Sequence, residues 1–267
     1  MKKEVMVDMT SGRIAPQILR FAMPVLLGLV FQRIYNFADS YIVGHFLGDN
    51  ALAAVSVAGV GMYLVFSLII GLTTGVTVVM SQYYGAKEED KVVKTFFSSI
   101  FIALGMTILV TVIGLLMTRP LLIVLQTPAE VLDAAVLYLR IICAGSVGTM
   151  LYNWISAVLR SLGNSVVPLI FLGISSLLNI VFDILFVAVI PMGVGGAAFA
   201  TVLAQIISGV ACLLYAWKIL PMLRIRRDKL KLDTYIGKQM LVYGLPAALQ
   251  MSIISISDMT LQAVVNT

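Results

Sequence analysis

Apolar residues dominate the chain in long, nearly continuous runs, and the few charged side chains fall between those runs. A bilayer-crossing helix needs about 20 mostly apolar residues. By that measure the pattern predicts seven spans, at roughly 18–43, 52–81, 94–117, 131–159, 166–190, 195–218 and 239–265. They read as helices, because barrel strands would alternate in segments of about 10 residues. Turn-forming stretches separate them: Gly44 to Asn50, Gly85 to Asp90, Arg119 to Pro128, Ser161 to Ser165 and Pro191 to Gly196. Short links make successive helices antiparallel, so the expected fold is an all-α, up-and-down membrane bundle. The one long connection, Lys218 to Lys238, is strongly basic.

Composition supports the same class. Hydrophobic residues make up 60% of the chain and charged residues only 12%, about half of what a soluble domain carries. Of the 18 Lys and Arg, most fall on one side of the predicted bundle. That side holds the amino-terminal residues Lys2 to Arg20, the Lys87 to Lys94 loop, Arg160, and the Lys218 to Lys238 segment; the other holds Arg119 and, at the margin, Arg140. Cytoplasmic loops retain such an excess. The amino terminus is therefore expected in the cytoplasm, with the chain in the plasma (inner) membrane. Topology and anionic lipid account for the net charge of +5 with no nucleic acid among the expected partners. The first apolar run lies behind Glu4 and Asp8 and is too long for a cleavable signal core.

Little in the sequence suggests catalysis. His45 is the only histidine, too few for an ordinary zinc site. No HExxH, Walker loop or GxSxG is present, so no enzyme is expected. Cys143 and Cys212 lie inside spans and read as apolar fillers. Gly71-Leu-Thr-Thr-Gly75 is a GxxxG, which predicts close helix packing.

Polar residues inside the spans are more informative, because ionisable groups in a bilayer are costly and mark ion or substrate paths. Asp39, Asp183 and Asp258 fall within spans one, five and seven, and Arg33 is a mid-span base. Gln32, Asn36 and Asp39 are spaced i, i+4, i+7 near one face of the first helix. Asn179 and Asp183 repeat the i, i+4 spacing in the fifth span. Thr201 and Asn153 add neutral oxygens. Such a set suits a proton retained by a carboxylate, or a sodium ion held by carboxylate, amide and hydroxyl oxygens.

The seventh span also copies the first at an offset of 222 residues, with Pro24 on Pro246, Leu19 on Leu241, Leu27 on Leu249, Ile34 on Ile256 and Val43 on Val265. A proline in register within a helix points to a parallel repeat of six helices.

With that repeat, the sequence resembles the multidrug and toxic compound extrusion (MATE) antiporters. The resemblance rests on Pro24, on Gln32-Arg-Ile-Tyr35-Asn36-Phe-Ala-Asp39-Ser-Tyr-Ile-Val-Gly44, on Leu47-Gly48 and Ala51 to Val55, on Gly85, on Arg160-Ser-Leu-Gly163-Asn164 to Pro168, and on Asn179 to Asp183. It implies a two-lobed, twelve-helix exporter exchanging H⁺ or Na⁺ for amphiphilic, often cationic small molecules. It further implies an ion-coupling site at Asp39, Asp183, Asn179 and Thr201, which is also where Na⁺ would bind; a kink at Pro24; and Gln32, Tyr35, Asn36 and Asn153 near the substrate. Beyond that ion no cofactor is expected. A glutamate used by another branch of the family would fall at Ile254, so that mechanism is not expected.

The expected organisation is a six-helix lobe over 1–217, a basic linker over 218–238 and the first helix of a second lobe over 239–267. The chain thus reads as a fragment whose partners are the bilayer, a small amphiphile and a missing carboxy-terminal lobe. The alternatives are a lipid-linked saccharide flippase of the same superfamily, which should show several bases facing its cavity, and a seven-helix receptor or scaffold without transport.

Overall fold

The computed structural model describes residues 12–221 and 231–265, with the side chains of 255, 256 and 258–265 left out of the description. Every regular element among the described residues is helical. In chain order these are α1 (Ile14–Leu47), α2 (Asp49–Gly85), α3 (Glu89–Val124), α4 (Ala129–Ala144), α5 (Ser146–Ser161), α6 (Val166–Asp183) with a π-helical extension (Ile184–Val189), α7 (Val194–Ile219) and α8 (Thr234–Val265). The molecule is a multi-pass membrane bundle. Among the described residues five helices are long and apolar enough to cross a bilayer on their own, and α4 with α5 makes a sixth if the bent pair is taken as one broken span, against the seven expected from the sequence.

The first three helices outrun the predicted spans by three to seven residues at each end, since a helix continues until a turn stops it. Gly48 stops α1 at φ 85° and Gly163 turns the chain after α5 at φ 82°, a conformation that costs a residue with a Cβ. At the start of α6 the Asn164 Oδ1 accepts from the Val167 amide at 3.0 Å, meeting one of the orphan donors of a first turn.

The fourth predicted span is not one straight helix. It breaks at Gly145, and α4 and α5 are bent by 48° relative to one another. The cause is the approach of α7. A Cβ on Gly145 would collide with the Val202 side chain, and one on Gly148 would lie 2.6 Å from Ile206 Cγ1. The apolar run announced a span, but the path of α7 across it was not written in that run.

Two apolar cores stack along the bundle. Near the end that carries Lys91, Lys218 and Lys238, here the basic end, Met80, Phe97, Ile155, Leu159, Leu162 and Met240 are fully buried together. Towards the far end Val43, Ala54, Leu122, Leu139 and Ala197 form the second core. The helices α2, α3 and α7 run through both, whereas α4 belongs to the far core and α5 to the basic one.

The GxxxG of α2 does what close packing requires. A Cβ on Gly75 would lie 2.8 Å from the Gly244 amide nitrogen, and one on Gly71 would overlap the Ala248 backbone. So α8 seats directly on the α2 backbone. Ser67 Oγ meets Ser252 Oγ at 2.8 Å, and the Tyr83 hydroxyl donates to Gln239 Oε1 at 2.8 Å, so the seam is pinned near both ends. Thr73, Thr74 and Thr77 donate to carbonyls of their own helix, which hides their hydroxyls from the apolar surroundings.

Candidate functional site

A cavity of about 280 Å³ opens between α1, α2, α5, α6 and α7, with Tyr138 of α4 at its far end. Of the residues singled out in the sequence, Pro24, Gln32, Tyr35, Asn36, Asp39, Asn153, Asn179 and Thr201 all line it. The heptad-like spacing on α1 explains its share: Gln32, Asn36 and Asp39 come round to one face, and that face is the one turned to the cavity.

At the far end of the cavity, three buried polar side chains converge with the half-buried Thr201. Asp39 is 8% exposed, Asn179 3% and Asp183 0%. Asp183 stands behind the cavity wall, next to Asp39. Asn179 donates from Nδ2 to Thr201 Oγ1 at 3.2 Å, which turns its amide oxygen away from that bond. Asp39 Oδ1, Asn179 Oδ1 and both carboxylate oxygens of Asp183 are buried with no hydrogen-bond donor. Orphaned buried acceptors are rare and call for an explanation. Two adjacent carboxylates with no donor repel each other unless a proton is shared or a cation enters. The oxygen set fits either one, because carboxylate, amide and hydroxyl oxygens are the ligands of hard cations.

Two features here were missed in the sequence. Tyr138 is 4% exposed, lines the cavity with Thr201 and lies near both aspartates. Nothing in its local sequence separates it from an interfacial tyrosine. The other is the π-helical turn that begins one residue after Asp183, where the Ile190 amide donates to the Leu185 carbonyl and the Met192 amide to the Phe186 carbonyl, each at 2.8 Å. Such widened turns recur at functional sites. Gly196 makes room for it, since a Cβ there would lie 2.8 Å from the Phe186 carbonyl oxygen.

The middle of the cavity is polar without being charged. Asn153 donates from Nδ2 to the Thr149 carbonyl at 2.8 Å, and the Thr149 hydroxyl donates to Gln205 Oε1. Gln32 and Tyr35 lie next to one another on the cavity wall, with Tyr63 and Asp39 nearby. Trp154, next to Asn153, turns the other way and donates to Ser99 Oγ at 2.8 Å inside the basic-end core.

Several expectations about charged residues change. Arg33 does not reach the Asp39 cluster: it lies on the exposed side of α1 with Leu29, Val30, Ile34 and Phe37, because a step from 32 to 33 turns a helix by about 100°. Asp258 lies outside the described side chains. Arg160, read in the sequence as a loop charge, lies in the last turn of α5 and lines the basic end of the cavity. His45 stacks on Tyr41 and meets Phe46 edge-on, an aromatic group at a helix end. Cys143 and Cys212 are buried and unpaired to each other.

The MatE family model matches residues 24–185, from the cavity-lining proline of α1 through both aspartates. The chain belongs to the MatE family. Over 97% of its length it is 35% identical to "Probable multidrug resistance protein YpnP" of Bacillus subtilis, and it spans 58% of that protein. It is 26% identical over 89% of its length to "Probable multidrug resistance protein NorM" of Thermotoga maritima, spanning 52% of it. Among solved structures, the outward-facing form of a multidrug resistance MATE transporter of the MOP superfamily superposes with a TM-score of 0.86 at 25% identity, covering 96% of this chain and 56% of that one. An inward-facing form of such a transporter gives 0.81 at 26% identity over 93% of this chain and 56% of that one. The MatE chain described here thus spans a little over half the length of the curated relatives it matches.

Proposed function

We propose that this MatE chain supplies the ion-coupling lobe of a multidrug exporter, which exchanges H⁺ or Na⁺ for amphiphilic or cationic small molecules across the plasma membrane. Asp39 and Asp183 form the coupling pair, with Asn179 and Thr201 as neutral ligands and Asp39, which alone of the two lines the cavity, the more critical. Gln32, Tyr35, Asn36 and Asn153 contact the substrate. The observation that carries this reading is the set of orphaned oxygens on Asp39, Asn179 and Asp183, acceptors that a shared proton or a hard cation would satisfy. The names of the relatives, multidrug resistance proteins, support the substrate class.

The residues suggest how ion and substrate are linked. An incoming proton or Na⁺ removes the repulsion between the two carboxylates, so α1 and α6 draw together at the far end. Helix α1 can yield at Pro24, which has no amide hydrogen and so leaves one carbonyl of the helix unpaired. The cavity lies along that same face of α1, so its shape, and its affinity for substrate, differ between the two states. The excess of Lys and Arg at the basic end supports a cytoplasmic amino terminus. The flippase alternative called for several bases in the cavity, and among the described residues one, Arg160, lines it.

The test is Asp39→Asn and Asp183→Asn in the full-length transporter carrying this sequence, reconstituted in proteoliposomes with an imposed pH or sodium gradient. Gradient-driven efflux should fall at least tenfold for Asp39→Asn and by a smaller factor for Asp183→Asn. Parent-level efflux in both variants would show the carboxylates to be structural.

A further inference from the structure

The coupling cluster occupies one end of the cavity, and a different charge stands at the other. Arg160 lines the basic end, and its long side chain runs beside Tyr152 and Cys212. Among the described residues no carboxylate lies against it: the two ion pairs found there are Lys91 with Glu88 and Arg119 with Asp133. Of the polar groups that line the cavity near it, the Tyr152 hydroxyl donates to the Pro168 carbonyl at 2.9 Å and offers only a neutral oxygen, which does not balance the charge of a guanidinium.

Arg160 and the aspartates are far apart. Counting along α6 from Asp183 to Pro168, beside Tyr152, gives 15 residues, or about 22 Å at ~1.5 Å each. The acidic pair therefore does not neutralise the guanidinium. Between them the wall is mixed, with Phe66, Ile69 and Leu172 alongside Asn36, Asn153 and Gln205. The cavity is bipolar, acidic at the far end and basic at the near one, with an apolar and amide-lined middle.

A guanidinium is a planar fork of donors that matches a carboxylate in a two-point fashion, which an ammonium cannot do. We propose that Arg160 is the anion-recognising residue of this cavity, holding the carboxylate of a zwitterionic amphiphile whose cationic part points towards Asp39. The assignment rests on the export reading and sharpens it: the substrates include molecules that carry both charges. A positive side chain in the last turn of a helix also interacts with the helix dipole. Lysine serves that role equally, so the two roles separate by substitution.

The experiment uses the full-length transporter in phosphatidylcholine nanodiscs and two fluorescent probes, rhodamine B, a zwitterion, and its ethyl ester, a cation. The affinity ratio between them is the readout, because a general loss of folding lowers both affinities and leaves their ratio unchanged. Arg160→Gln should shift the ratio at least tenfold against rhodamine B, and Arg160→Lys by about threefold. An unchanged ratio in Arg160→Gln, or a parent-like ratio in Arg160→Lys, overturns the assignment. So does a ratio shift that appears only when phosphatidylglycerol is added, since Arg160 would then be holding a lipid phosphate. Gradient-driven efflux of the ester by the parent protein reports on the export reading separately, because the ester carries no anion for Arg160 to hold; its absence sinks that reading whatever the ratio shows.

Discussion

Helices α1 and α2 are adjacent, of similar length and similarly greasy, yet they serve opposite purposes. Both are strongly apolar, but far less of the apolar stretch is buried in α1 than in α2. What differs is the size of the side chains and where the polar groups fall. Small residues along α2, Ala54, Ala58, Gly61, Gly71 and Gly75, are buried; Gly71 and Gly75 let α8 come within backbone contact, and Gly61 faces Leu139 and Leu121. The buried residues of α1 are Gly28, Asp39, Ile42 and Val43, so it is anchored mainly at its far end while the Pro24 half borders the cavity. In a bilayer, where lipid tails are as apolar as leucine, hydrophobicity alone does not draw helices together. Close fit fixes α2 as a frame, and the lack of it leaves α1 free to bend.

The largest effect should come from closing the space that α2 keeps open. Gly75→Leu would drive a side chain into the Met240 carbonyl and the Gly244 backbone, and overpacking of this kind costs about 1–3 kcal/mol or more. Purified protein should lose several degrees in apparent Tm, or fail to stay monodisperse. Gly105→Leu is the control, since a Cβ there meets nothing within 4 Å, and it should leave the Tm in place. Equal effects would mean that the α2 seam is not special.

Substituting the proline of α1 should separate motion from stability. Pro24→Ala restores a backbone donor and removes the ring's clash with the preceding turn. Tm should stay level or rise while gradient-driven efflux falls several-fold. A drop in Tm with unchanged efflux would reverse the roles assigned to the two helices.

The smallest effect belongs to Gly28, where α1 passes α6. A Cβ there would sit 3.4 Å from Leu172 Cδ2, an ordinary contact, so Gly28→Ala should change stability by less than about 0.5 kcal/mol, with the better helix propensity of alanine offsetting any crowding. A loss comparable to that of Gly75→Leu, read in the same melting assay, would show α1 to be as tightly fitted as α2.

The sequence by itself determined the helical membrane class, the approximate limits of the apolar runs, the family, and part of the cavity's polar lining, Gln32, Tyr35, Asn36, Asp39, Asn153, Asn179 and Thr201; the seven predicted runs give five crossing helices among the described residues, or six with the bent pair α4 and α5. Those properties are local: an apolar run of sufficient length, a charge at its border, or an i, i+4 spacing can be read without knowing what lies opposite. That is why Gln32, Asn36 and Asp39 could be placed on one face, and Asn179 with Asp183 on another. Only the tertiary structure decided that α7 crosses the fourth span at Gly145 and bends it, that Tyr138 joins Thr201 beside the aspartates, and that the helix widens after Asp183. It also turned Arg33 away from the cavity and Arg160 into it. Each of these depends on which helix approaches which backbone, a non-local property settled by how small residues and bulky ones interlock, and the succession of apolar residues along one chain carries no record of that.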